Sequence, residues 1–582
     1  MFLDAVAFNS SVANWNFSGA ISTADMFSGA TSFNQPVSNW NIPIGTDTTE
    51  MFFYASSFNQ DISNWDISLF SPNILNSSGY DTNNYDILLM KFLQSGVQNG
   101  NFVGQGLHYC DYAVHDALTN TFGWTIYGDS LSDDCVVNGI TGTVLYDENA
   151  DGCDPGDVPV SNFLVNAGTE YLDYTSSTGI DGSYQLTLFQ NTYALSVLNI
   201  PSYYTVTPAD SAYTFTTLGS AQALNFCVTA NETVQDLNVT LLPLGVARPG
   251  FDTHYQLVAQ NMGTQTIGSA TVSLTFDASL QTFVSASPAA TSTTTNQLNF
   301  SVSDIQALHS KIIDVTISTL PPPAVVGGEL VNFTAAISPD TTDYSPGDNT
   351  FALTQETVNS YDPNDKTVLQ GDQISLSQAD GYLDYIVRFQ NTGSASAQTV
   401  RVVDNIDPKL DWTTLMPVSG SHDYKVKITN GNKVEFIFTD INLSPEAEDE
   451  AESTGFIAYK IKPVQGIQVG DVITGDAQIY FDFNDPIVTN SVSTEIIGNM
   501  GVAENLAGKV SVYPNPTTGM LHLQPQAGSD LEEVKVFDLQ GSQLLLFKTQ
   551  LENINVESLS AGIYFITVKT SQGSGKYKLI KI

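Results

Sequence analysis

Met26-Phe27-Ser28-Gly29-Ala30-Thr31-Ser32-Phe33-Asn34-Gln35-Pro36-Val37-Ser38-Asn39-Trp40 is one copy of a pattern that opens the chain. Met1-Phe2, Met26-Phe27 and Met51-Phe52 recur every 25 residues, and Ala5, Ala30 and Ala55 keep the phase. So do Phe8-Asn9, Phe33-Asn34 and Phe58-Asn59, and then Asn14-Trp15, Asn39-Trp40 and Asn64-Trp65. A period in this range marks a repeat architecture. Met26, Ala30 and Phe33 fall at i, i+4 and i+7, a spacing that predicts one face of a short helix. Val37-Ser38-Asn39-Trp40 then reads as a short strand. A unit this small cannot bury its apolar face alone and must stack on its neighbour, which predicts an α/β repeat solenoid over residues 1–79. Met1 is in phase with Met26 and Met51, so it is expected to be an internal repeat methionine.

Beyond the repeats the period changes from helical spacing to alternation. Asn84-Tyr85-Asp86 leads an apolar helical stretch through Leu93, inside a segment 80–137 that reads as the cap on the last repeat. Ile140 to Tyr146 reads as a strand. Tyr255-Gln256-Leu257-Val258, Asn261-Met262-Gly263-Thr264 and Val272–Phe276 read as strand, turn, strand. The same logic returns with Tyr361-Asp362-Pro363-Asn364-Asp365-Lys366, Tyr385–Phe389, Asn391-Thr392-Gly393, Val400–Asp404 and Ile479-Tyr480-Phe481. The reading is a mostly β chain: a short repeat solenoid, then a string of Ig-like β-sandwiches at 138–246, 247–358 and 359–497. A linker at 498–507 leads to a last domain at 508–582.

Composition narrows the function classes. Only 14% of the 582 residues are charged and 42% are hydrophobic, which excludes a disordered chain. The net charge is −42, from 19 basic and 61 acidic residues. A polyanion repels nucleic acid and anionic lipid, and cations, Ca²⁺ above all, become the expected charged partners. Residues 1–247 hold one basic side chain, Lys91, against 24 acids, whereas 508–582 hold seven lysines against six acids. The tail is therefore a separate unit. No run of about 18 apolar residues offers a transmembrane segment.

Four family resemblances follow from these words. The 25-residue repeats resemble BspA-like, leucine-rich-type surface repeats, and the segment after them is similar to the cap of such repeats in Bacteroidetes surface proteins. Residues 138–246 resemble an SdrD-type B domain, and the next two modules resemble Ig-like stalk domains of bacterial surfaces. The tail carries Tyr513-Pro514-Asn515-Pro516-Thr517-Thr518-Gly519, then Asp538 and Gly541, then Gly562 and Tyr564. It resembles the type A C-terminal sorting domain of type IX secretion cargo. That resemblance implies recognition by the type IX secretion machinery and a secreted protein at the outer-membrane surface or in the extracellular space. In the tail, Pro-Asn-Pro is expected to set the turn into the first strand.

Catalytic constellations are missing from the sequence. The histidines are scattered, and no H-E-x-x-H, G-x-S-x-G, P-loop or G-x-G-x-x-G occurs. Ser421-His422-Asp423 spells the residues of a catalytic triad in a row, but adjacent strand residues point to opposite faces while a triad must converge. One acidic loop is site-like. Asp147, Asn149 and Asp151 place oxygens at positions 1, 3 and 5 with Gly152 at 6, the start of a Ca²⁺ loop, and Asp154 and Asp157 can add oxygens. Val158 stands where an EF-hand has its bidentate Glu, so the loop resembles the looser calcium loop of SdrD-type B domains. The same residues also read as a solvated turn. Glu446–Glu452, lacking regular ligand spacing, reads as a solvated loop.

An even cysteine count in an exported chain favours disulfides, and four cysteines allow three pairings. The pairing that respects the module boundaries joins Cys110 to Cys135 and Cys153 to Cys227. The leading functional expectation is a non-catalytic adhesin that binds an extracellular protein or glycan ligand through its repeats. Two other expectations stay open: the accessory C-terminal part of a secreted hydrolase whose catalytic domain lies upstream, and a Ca²⁺-stiffened structural stalk.

Overall fold

The structure is a computed structural model that describes residues 1–209, 211–339, 343–360, 362–498, 510–525, 530–537, 543–549, 551–560, 562–570 and 573–582. It is mostly β. The chain divides into two compact units. The first comprises Met1–Asp372, Gly381–Gln465 and Ile473–Thr494; the second comprises Gln373–Asp380, Gly466–Val472 and Glu495–Ile582.

The repeats of the first unit are built from turns. No α-helix or strand forms before residue 67, and the only bridge is the isolated pair Ser22 and Asp47. This corrects the helix expected from Met26, Ala30 and Phe33 and the strand expected at Val37–Trp40. Asp25 and Gly29 have φ of 55° and 69°, and Glu50 and Tyr54 in the next repeat have 54° and 52°. A left-handed residue ends a right-handed helix, so two per repeat leave only single turns. The apolar face is Phe27, Ala30 and Phe33, all fully buried, rather than Met26, Ala30 and Phe33.

Each repeated word has a structural job. Phe2, Phe27 and Phe52 stack at 5.7 and 5.9 Å between ring centres, and Phe8, Phe33 and Phe58 at 5.9 and 6.0 Å. Trp15, Trp40 and Trp65 form a third file at 6.0 and 6.2 Å. The Trp40 indole donates to the Val12 carbonyl at 3.1 Å, and Trp65 to Val37 at 3.3 Å. The asparagine of each Phe-Asn pair makes a ladder: Asn9 Oδ1 accepts the Asn34 N–H, and Asn34 Oδ1 accepts the Asn59 N–H, both at 2.9 Å. Backbone hydrogen bonds join adjacent layers, for example Phe2 N–H to Met26 O and Phe27 N–H to Met51 O.

The ladder runs straight into the cap. Asn59 Oδ1 accepts the Asp81 N–H and an Asn84 amide proton, while Asp81 caps α1 (Thr82–Gln94) by accepting the Asn84 N–H at 2.9 Å. Tyr80 extends the Phe58 file at 6.4 Å, and Phe92 meets Phe70 edge-on at 5.3 Å. Cys110 and Cys135 form a disulfide within this segment.

Three small sandwiches follow in the same unit, with strands such as Asn138–Asp147, Asp252–Asn261 and Leu383–Gln390 at their centres. The two N-x-G turns are twins. Asn261 Oδ1 accepts the Gly263 N–H, and its amide donates to the carbonyls of Gln265 and Ile305 at 2.9 and 2.8 Å. Asn391 does the same with Gly393, Ala395 and Leu443. One buried side chain thus closes the turn and ties it to another strand. Gly263 packs so closely that an added Cβ would lie 2.6 Å from the Val234 carbonyl.

The sandwiches do not follow one another as separate beads. Strand Asp173–Ser177 of the first pairs antiparallel with Lys425–Thr429 of the third, with Ile428 opposite Thr175. The result is one nine-stranded sheet crossing two modules. Two sheet edges cover each other, which removes two exposed rows of unpaired backbone groups. Three tyrosines of the first sandwich, Tyr146, Tyr203 and Tyr204, donate to the carbonyls of Thr264, Met262 and Gly263 in the second at 2.7, 3.0 and 2.5 Å. Ser419 of the third donates to Gln256 Oε1 of the second at 2.6 Å.

In the second unit, Val510–Tyr513 pairs with Met520–Pro525, and Leu531–Phe537 with Gly562–Thr570, which pairs in turn with Gly573–Lys581. Its core includes Leu521, Leu523, Val534, Val536, Ile566, Val568 and Leu579. The Pro-Asn-Pro segment follows the first strand rather than preceding it. Val510-Ser511-Val512 alternates as a strand should, and the first proline interrupts it.

Candidate functional site

The acidic loop lies between strand Asn138–Asp147 and the short strand Val158–Pro159. Its oxygens are engaged with the loop's own backbone. Asp147 accepts the N–H groups of Asp151 and Gly152 at 3.2 and 2.9 Å, and Asn149 Oδ1 accepts Asp151 N–H at 3.1 Å. Asp154 accepts Gly156 N–H, and Asp157 accepts Asp154 N–H at 2.7 Å. The Cys153–Cys227 disulfide fixes the loop to the neighbouring strand Phe226–Ala230. Glu148 Oε1 accepts the Thr266 hydroxyl of the next sandwich at 3.0 Å. The loop therefore sits at a module junction, anchored on both sides.

Among the described residues, the carboxylates that do converge are Asp236, Asp343 and Asp348, whose oxygens lie within 4.8 Å of one another. None of them belongs to the acidic loop. Asp236 accepts the Tyr203 hydroxyl at 2.7 Å, sharing its one proton with the Met262 carbonyl, and Asp343 accepts the N–H groups of Leu237 and Ser345 at 2.8 and 3.0 Å. Burial, relieved in part by the Tyr203 hydrogen bond, raises the Asp236 carboxyl above its ordinary range. Sequence spacing gives no sign of this cluster, because Asp236 is separated from Asp343 and Asp348 by most of a sandwich.

A cavity of about 540 Å³ opens between α1 and the first sandwich, lined among others by Asp86, Met90, Lys91, Gln94, Phe189 and Phe215. Burial, then the neighbouring Asp111, pushes the Asp86 carboxyl up to about 7. Burial pushes Asp111 up to about 6, against hydrogen bonds from Tyr174 and Val114. Asp86 accepts the Cys110 and Asp111 N–H groups, so it positions the segment that starts α2 (Tyr112–Asp116).

Ser421 and His422 are hydrogen-bonded at 2.9 Å, Oγ to Nδ1, but Ser421 Oγ also accepts the Phe456 N–H at 3.0 Å. Asp423 makes no hydrogen bond to His422, so the three residues do not assemble as a triad. Burial lowers the His422 pKa, opposed by Glu452 and Asp423.

In the tail, Asn515 is the pivot of the motif. Its amide donates to the Lys578 carbonyl and its Oδ1 accepts the Ile580 N–H, at 2.5 and 2.8 Å. Thr517, fully buried, exchanges backbone hydrogen bonds with Ile580 and Ile582 and accepts Gly519 N–H on its hydroxyl. Pro514-Asn515-Pro516-Thr517 thus fastens the final strand. Tyr513 is exposed, and the Tyr564 hydroxyl donates to the Ser560 carbonyl at 2.9 Å beside Gly562. Asp538 and Gly541 lie outside the described residues, as do Tyr361 and all of the linker except Gly498.

Three family models match parts of the chain. Residues 511–582 match a secretion system C-terminal sorting domain, 362–495 a domain of unknown function (DUF7619), and 1–77 a Mycoplasma protein of unknown function, DUF285. No curated protein matches the chain. Among solved structures, it is similar to the major pilin subunit BcpA of Bacillus cereus, at 9% identity over 72% of this chain and 94% of that one, TM-score 0.18. It is also similar to a collagen-binding domain from a Staphylococcus aureus adhesin, at 14% identity over 24% of this chain and 99% of that one, TM-score 0.17. A third likeness is the C-terminal domain of the Streptococcus pyogenes antigen I/II-family protein AspA, at 10% identity over 45% and 99%, TM-score 0.17. The sorting domain marks the chain for export to the cell surface or the extracellular space. No helix among the described residues is long and apolar enough to cross a membrane.

Proposed function

We propose that this is a non-catalytic surface interaction protein, an adhesin exported by type IX secretion. The match of residues 511–582 to a secretion sorting domain carries the reading. The tail acts as an address, and the type IX machinery is its partner. Ahead of it, the layered repeats at 1–79 are read as a BspA-like solenoid whose stacked turns offer an extended surface to a protein or glycan. The three sandwiches hold that surface away from the cell. A chain ending at Ile497 should fold normally yet accumulate in the periplasm of a type IX-competent host. Arrival of the truncated chain at the surface would count against the reading.

Calcium stiffening is a second reading, favoured by the position of the acidic loop. The loop is tied by Cys153–Cys227 on one side and by Glu148 to Thr266 on the other. An ion on Asp147, Asn149, Asp151, Asp154 and Asp157, as in SdrD-type B domains, would brace the junction between two sandwiches. The expected affinity is that of extracellular modules, with Kd about 10⁻⁴–10⁻³ M. Millimolar Ca²⁺ should then raise the melting temperature of the wild type and not that of Asp151→Ala. Equal responses of the two proteins would remove calcium from the account.

A further inference from the structure

Among the described residues, Lys366 and Asp404 form the most deeply buried ion pair. The lysine side chain is 3% exposed and the aspartate 0%. Nζ lies 2.8 Å from Oδ1 and 2.7 Å from Oδ2. Lysine and aspartate are almost never buried this fully unless paired, and even then the cost of removing both charges from water can exceed what their attraction returns. The two residues belong to opposite sheets of the third sandwich: Lys366 to strand Asp365–Val368 in a four-stranded sheet, Asp404 to Ala397–Asn405 in the nine-stranded one.

The surroundings are largely aromatic. Tyr385, Tyr459 and Phe436 are buried around the pair, with Tyr459 stacked on both other rings at 5.3 Å and the Tyr385 ring centre 5.1 Å from Nζ. Gly475 clears room for the amine, since a Cβ there would lie 3.0 Å from Nζ. The Tyr459 hydroxyl donates to Asp404 Oδ2 at 2.5 Å. Burial, with the Asp404 charge beside it, holds the Tyr459 phenol well above its ordinary pKa, so it remains a donor.

We propose that Lys366 and Asp404 are the site of a self-formed isopeptide bond that joins Nζ to Cγ and covalently locks the two sheets together. With both carboxylate oxygens in contact, Nζ stands roughly 3 Å from Cγ, and a rotation of the carboxylate about its Cβ–Cγ bond turns its face to the amine for attack. A proton passes from Nζ to Oδ1 along their hydrogen bond and frees the nitrogen lone pair. Nζ then attacks Cγ, and the charge developing on Oδ2 is met by the Tyr459 O–H. The Cγ–Oδ1 bond breaks as a second proton moves from nitrogen to Oδ1. An ammonium and a carboxylate become one amide and one water, with no oxidant, reductant or cofactor consumed. Two buried charges are replaced by a neutral group, and the closed aromatic cage keeps water from reversing the step.

The mass of the folded full-length chain tests this. With both disulfides accounted for, the wild type should weigh one water, about 18 Da, less than its sequence. Its digest should contain the Lys366 and Asp404 peptides as one branched species. Lys366→Arg keeps the cation but should show the full sequence mass. Asp404→Asn should form the same link with loss of ammonia, about 17 Da. A wild-type chain at its full sequence mass, with both peptides recovered linear, would overturn the proposal whether or not either variant folds.

Discussion

Asp86 shows what a single side chain does in the cap. It is buried at the back of the cavity and holds the Cys110 and Asp111 N–H groups, yet burial and Asp111 raise its pKa to about 7. Its folded pKa lies above the unfolded value, so the folded state binds the extra proton. The stability this contributes is present below about pH 4 and is lost as pH rises through about 7. Acidifying the wild type from pH 8 to pH 5 should therefore stabilise it by about 2 kcal/mol more than Asp86→Asn, whose amide oxygen still accepts the backbone N–H. Thermal melts of both proteins across that range give the difference. Parallel pH profiles would refute the role assigned to Asp86. The polyanionic composition was legible in the sequence, but the placement of one carboxylate against another was not, because Asp86 and Asp111 meet only through the packing of α1 on the segment before α2.

The strands were legible where alternation was strong, and the repeat words were legible because each marks one layer of a stack. Asn261 and Asn391 show why the N-x-G words recur: the same three hydrogen bonds close both turns. The pairing of the cysteines followed from module boundaries and is the pairing observed. The helix read into Met26–Phe33 failed because apolar spacing does not reveal the left-handed residues Asp25 and Gly29. Pairing of Asp173–Ser177 with Lys425–Thr429 was invisible for a different reason: two edge strands about 250 residues apart carry no local signal of each other. That pairing has a consequence for stability. The first and third sandwiches share a sheet, so they should unfold in one calorimetric transition. Thr175→Pro puts a residue without an N–H opposite Ile428 and should split that transition or lower it by about 2–3 kcal/mol. Independent transitions for the two sandwiches in the wild type would show that the shared sheet does not couple them.

Across the whole molecule, charge and architecture divide the labour. The first unit is strongly acidic and lays its modules side by side, while the tail is nearly neutral and fastens its own last strand through Asn515 and Thr517. The tail was the most legible region, since its words and their spacing are those of a sorting domain and the family match covers the same segment. What the exposed surface of the repeats contacts was not legible, because the repeated words describe the buried stack and leave the outward positions free to vary. Export by the tail is therefore the central claim, and it can be isolated from every other part of the chain. Residues 498–582 should be fused to an unrelated reporter bearing its own signal peptide and expressed in a type IX-competent host. Protease accessibility of the reporter on intact cells then reads its location. The account predicts a reporter exposed at the cell surface or released, and lost to the periplasm in a host lacking the secretion machine. A fusion that stays periplasmic in the competent host would contradict it.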